Sequence, residues 1–65
     1  MDKNKRIELI IAFESGELEE KETLKLFSDL IKTGMCWKLQ GFYGRIAEDL
    51  IQKNIINRKG NILIK

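Results

Sequence analysis

Cys36 is the one thiol of this sequence, and Lys38 two positions on could lower its pKa enough to make it a nucleophile. No His is present to serve as a base near neutral pH, and the same absence leaves Ser15 and Ser28 without an activating partner. A thiol set between Met35 and Trp37 is therefore read as a small buried apolar group. Glu19, Glu20 and Glu22 could hold a cation or move a proton, but no base and no second acidic cluster accompanies them. Carboxylates so grouped at a helix start complement the positive end of its dipole, and that is the role assigned to them. A single Cys without His gives neither a disulfide nor a Cys/His zinc site, and no Gly-rich loop leads into Lys-Ser/Thr to cradle phosphates. The expectation is a protein without catalysis, cofactor or metal.

What remains particular is TGMCWKLQGFYGR, residues 33–45, which holds the only Trp, the only Tyr and three of the five Gly. Two roles compete for it. Trp37, Leu39 and Phe42 are large enough to plug one end of a small core, with Gly41 and Gly44 letting helices approach. Met35, Trp37, Gln40, Phe42, Tyr43 and Arg45 are equally the residue types that dominate protein–protein contacts, and they form the candidate partner-binding set. Gly41-Phe42-Tyr43-Gly44 also has the spacing of the Gly-x-x-Gly loop of KH domains, but its central residues are aromatic and the flanking strands are missing.

Three longer helices and one short one must position this stretch. Ile7, Ile10 and Ile11, widened by Leu9 and Phe13, predict a helix over 4–14 that Ser15-Gly16 ends. Leu24, Leu26, Phe27, Leu30 and Ile31 form the inward face of a second helix over 19–33, stopped by Gly34. Residues 35–40 allow one further turn. Tyr43, Ile46, Ala47 and Leu50, with Ile51 beside them, then define a helix over 42–53. The tail IINRKGNILIK places apolar β-branched residues on both sides of Asn57–Asn61, which suits a β-hairpin turning at Gly60 or an extended tail. The fold expected is mainly α, one small domain over 1–65 with residues 55–65 as hairpin or tail.

Size and charge narrow the function classes. A chain of 65 residues buries only about 60% of its unfolded surface, so a partner chain, including a homodimer, would add to a small core. The apolar run of MDKNKRIELIIAF is short and broken by Glu8, lacking both the length of a membrane span and the pattern of a signal peptide. A cytoplasmic protein without a membrane partner is expected. The net charge of +2 hides an asymmetry: residues 1–34 carry eight acids against six bases, residues 35–65 six bases against two acids. Beyond Gln52 only Lys53, Arg58, Lys59 and Lys65 are charged. Arg45, Lys53, Arg58 and Lys59 are accordingly the candidates for an alternative, a nucleic-acid-binding regulator of helix-turn-helix type with a basic wing. Against it, a reading helix over 42–53 presents Glu48 and Asp49 to phosphates.

The pattern ELIIAFESGELEEKETLKLFSDLIKTG…WKLQGFYGRIAEDLI, residues 8–51, resembles a group of small, mostly uncharacterised phage-encoded proteins. The shared features are the ESGEL junction, the TG helix end, the Trp-x-Leu-Gln-Gly-x-Tyr-Gly-Arg core and the Ala-x-x-Leu-Ile helix. Trp37, Leu39, Gln40, Gly41, Tyr43, Gly44 and Arg45 take the core motif positions. The chain departs at Glu19, where a Ser- or Asp-type cap is expected, and in the basic, Ile-rich tail after Asn54. The resemblance implies a viral or mobile-element origin and assigns no activity. Together these features lead to a small non-enzymatic module that docks on a host protein in the host cytoplasm, as an inhibitor or anti-defence protein.

Overall fold

The computed structural model describes residues 3–64; Lys65 of the basic tail lies outside them. The domain is mainly α. Helix α1 (Lys3–Glu14) turns back into α2 (Glu20–Thr33), a short 3-10 turn covers Met35–Trp37, and α3 (Gly41–Gln52) follows. The end of α1 is closed by Gly16 N–H donating to the Phe13 carbonyl at 3.1 Å and Glu17 N–H to the Ala12 carbonyl at 2.9 Å. The same pair of bonds ends α3, from Asn54 N–H to Ile51 and from Ile55 N–H to Leu50, with Asn54 in the left-handed region at φ 59°. Glu19 precedes α2 without a side-chain cap; its carbonyl accepts instead from the Thr23 N–H and hydroxyl.

Helix α2 is the centre of the molecule. Leu26, Phe27, Leu30 and Ile31 are buried along it, joined by Leu9 of α1, Cys36 of the 3-10 turn, Tyr43 and Ala47 of α3, and Ile56 of the tail. The inward faces expected of α2 and α3 are those observed, with Leu24, Ile46, Leu50 and Ile51 packed at the margin of the core. Helix α1 departs from expectation: Ile7 and Ile11 are 47% and 60% exposed, whereas Leu9 is buried. Apolar residues occupy much of this helix's circumference, so their periodicity does not choose a face. Tertiary contacts choose it. The Arg6 guanidinium pairs with Asp29 of α2, and Phe13 meets Phe27 edge-on at 5.4 Å.

The hairpin expected at the C-terminal end is reduced to a tight turn with one antiparallel bridge, Ile56 to Ile62, and no strand forms among the described residues. After the Asn54 turn that closes α3, only residues 55 and 56 precede the turn at Asn57, which leaves little length for a strand. The turn is well tied. Asn57 Oδ1 accepts from the Lys59 and Asn61 N–H groups, and Asn57 and Asn61 pair through their backbones at 2.9 Å. Its tip lies against α2, where the Ser28 hydroxyl donates to the Gly60 carbonyl. Gly60 has φ 89°, and a Cβ there would lie 2.6 Å from the Ser28 carbonyl oxygen and closer still to Lys32 Cγ. Only Gly satisfies both constraints.

Candidate functional site

The 3-10 turn sorts the side chains of residues 35–37. Its backbone is closed by Lys38 and Leu39 N–H groups donating to the Met35 carbonyl at 2.9 and 3.0 Å. This tight winding sends Cys36 into the core, 1% exposed, and leaves Trp37 49% exposed. Burial raises the Cys36 thiol above its ordinary pKa, which disfavours the thiolate that nucleophilic chemistry requires.

Trp37 rests on α3 at Gly44. A Cβ built at Gly44 would stand 3.6 Å from Trp37 Cε3 and 3.7 Å from the Cys36 carbonyl oxygen, an ordinary contact. The indole therefore lies on backbone, one position before Arg45. Arg45 is exposed and makes no hydrogen bond or ion pair among the described residues. Gln40, just before α3, is exposed as well and forms no side-chain cap. Gly41 does not serve close packing, because nothing lies within 4 Å of a Cβ built there.

The neighbouring aromatics form a graded cluster. Phe42 stacks on Phe13 at 6.4 Å and lies tilted against Tyr43 at 4.2 Å, yet remains 39% exposed. Trp37 and Phe42 are thus half-buried side chains, each with one side on the protein, rather than plugs of the core. Tyr43 corrects the sequence reading. It is 1% exposed, and its hydroxyl donates to Glu14 Oε2 at 2.6 Å. Its ring packs against Phe13 and Phe27, so it ties α3 to α1 and α2 and offers no contact surface. Burial first, then the hydrogen bond and charge of Glu14, raise its phenol well above the usual tyrosine range.

Met35 is half-buried, its sulfur accepting from Arg6 Nη1 at 3.2 Å. Arg6 consequently serves α1, α2 and the 3-10 turn together. The sequence contains no local sign of this, since Asp29 and Met35 are brought to Arg6 only by folding. Of the candidates, Trp37, Gln40, Phe42 and Arg45 are left exposed, Trp37 lying at Gly44 and Phe42 against Phe13, while Met35 is half-buried beside Arg6.

The cations of the nucleic-acid alternative are partly neutralised. Lys53 pairs with Asp49 at 3.0 Å, and Arg58 with Glu48 at 3.4 Å. Lys59 sits exposed in the Asn57–Gly60 turn. Among the described residues no helix is long and apolar enough to cross a membrane.

Comparison with known proteins gives one match: residues 2–65 fit a family model described as a domain of unknown function, DUF7417. No curated protein and no solved structure matches the chain. The match runs over almost the whole sequence, from α1 through the clamped tail, and the chain belongs to the DUF7417 family.

Proposed function

We propose that this protein is a non-enzymatic binding module, encoded by a phage or other mobile element, that docks on a host protein as an inhibitor or anti-defence protein in the host cytoplasm. The observation that carries the reading is the half-exposed Trp37 seated on Gly44, one position before an unpaired Arg45. A domain so short of core gains from burying every large side chain, so an indole left in water is stability forgone where a partner can use it. Phe42 and Gln40 are exposed as well and are counted with it as candidate contacts. Lys53 and Arg58 lie beside Asp49 and Glu48 of α3, so a phosphate approaching these cations also meets carboxylates, which disfavours the nucleic-acid alternative modestly.

The test compares immobilised wild type with a Trp37→Ala, Arg45→Ala double variant in host lysate. Expected is a protein retained by the wild type and lost from the variant, whose melting curve remains cooperative. Identical retention by both would discard the surface. Parallel anisotropy with labelled duplex DNA, single-stranded DNA and RNA at about 50 and 200 mM salt separates the alternative. Micromolar binding with a steep salt slope there would replace the protein partner with nucleic acid.

A further inference from the structure

A second surface shares no residue with the one around Trp37. Ile62, Leu63 and Ile64 are 39%, 49% and 46% exposed. Ile62 and Ile64, two positions apart, join Leu24 in a cleft of about 350 Å³ walled by Glu20, Lys21 and Lys25 of α2. A smaller hollow of about 250 Å³ continues past Ile62 to Lys32.

Two further properties specify what fits there. The first is charge. Lys21, Lys25 and Lys32 are spaced i, i+4 and i+11, which puts them on one face of α2. None of the three has an ion-pair partner among the described residues, whereas Asp29 nearby is held by Arg6. Glu20 alone opposes them at the cleft. The second is open backbone. The inner edge of the tail is used by Asn57 N–H to the Asn61 carbonyl and Leu63 N–H to the Ile55 carbonyl. In an antiparallel pair the alternate groups point the other way, and the N–H groups of Ile62 and Ile64 have no backbone partner among the described residues.

We infer that this cleft is a docking site for an extended segment of another protein, added as a strand along Ile62–Ile64, with an apolar residue over Leu24 and carboxylates two positions to either side against Lys21 and Lys25. Strand addition gives affinity through the main chain, and the side chains that alternate into the cleft give selectivity. Free lysines on both sides of an apolar floor select acids around an apolar centre. A second copy of this chain fits less well, since pairing the two edges would bring both lysine rows together.

The test uses a fluorescein-labelled Glu-Glu-Val-Ile-Glu-Glu peptide amide, its Lys-Lys-Val-Ile-Lys-Lys counterpart, and the acidic peptide N-methylated at Val and Ile. Anisotropy against the full chain at low salt should show the acidic peptide binding about tenfold or more tightly than either control, the scale of one or two charge-assisted contacts. The Lys21→Glu, Lys25→Glu variant should reverse the preference between the two charged peptides. Equal binding of both charged peptides, or no binding of the acidic one up to about 1 mM, would overturn the proposal. So would sedimentation showing a dimer that Ile64→Lys dissociates, which would give the edge to a second copy.

Discussion

The two segments that flank α3 are built on opposite terms. The corner that leads into it and forms its first turn, residues 33–45, is rich in glycine and aromatics, yet it is loosely fitted at its α3 glycines: a methyl group at Gly44 meets only ordinary contacts, and one at Gly41 meets nothing. The tail after it is ordinary in composition, yet Gly60 is pressed onto Ser28 and Lys32 with no room for a methyl group, and Ile56 is wholly buried. The corner divides its conspicuous residues, with Tyr43 and Cys36 buried and Trp37 and Phe42 left exposed, whereas the tail buries Ile56 and Gly60 and leaves Ile62, Leu63 and Ile64 exposed.

The sharpest way to break this comparison is Gly60→Ala. A Cβ colliding with the backbone of α2, in a conformation that already disfavours side chains, should lower stability by about 2–4 kcal/mol in urea unfolding. A near-neutral result would show that the tail can lift from α2 and that its tightness is incidental. Tyr43→Phe comes next, at about 1 kcal/mol for a lost hydrogen bond to a carboxylate that can turn to water. The same variant carries a pH signature. Because folding raises the Tyr43 pKa, the unfolded chain loses this proton above about pH 10 while the folded one keeps it, so stability is full below that pH and falls as pH rises. Thermal melts of the phenylalanine variant should show a shallower alkaline decline than wild type.

Gly44→Ala sharpens the comparison from the other side. Removing a helix-interior glycine where space allows a methyl group should raise stability by about 0.5–1 kcal/mol, read as a higher melting temperature. A fall instead would make the corner as tight as the tail. Arg45→Ala should have the smallest effect, within about 0.5 kcal/mol, as expected of an exposed side chain without partners. A larger loss would turn its guanidinium into part of the framework.

The helices were legible because their ends are written in short-range chemistry. Gly16 and Gly34 stop α1 and α2 where expected, and the apolar spacing of α2 and α3 gives their buried faces. The rotation of α1 was not legible, because Ile7, Leu9, Ile10, Ile11 and Phe13 satisfy several faces equally, and Asp29 and Phe27 decide among them. At the candidate site, Trp37, Gln40, Phe42 and Arg45 are exposed to differing degrees, but Tyr43 is not. Its residue type suits an interface and a core alike, and Glu14, the group that decides, is 29 positions away. Gly60 was recognisable as a turn residue; its collision with α2 was not, since that depends on where a helix 28 to 32 positions earlier passes.

The bond from Ser28 to Gly60 spans 32 positions, and it has a consequence for the order in which the chain folds. Most contacts in this domain join residues near one another in sequence and form quickly, whereas closing a long loop must wait for both of its ends to be in place. The bonds from Tyr43 to Glu14 and from Arg6 to Met35 each span 29 positions, so the tail is one of three comparably long closures, and its late docking is a prediction that weakening the Ser28 bond tests. Weakening it should steepen the escape from the native state without delaying its formation: in stopped-flow experiments Ser28→Ala should accelerate unfolding and leave the refolding rate nearly unchanged. Under that prediction the lifetime of the folded protein, as distinct from the depth of its free-energy well, depends on how firmly Ser28 and the buried Ile56 hold the tail.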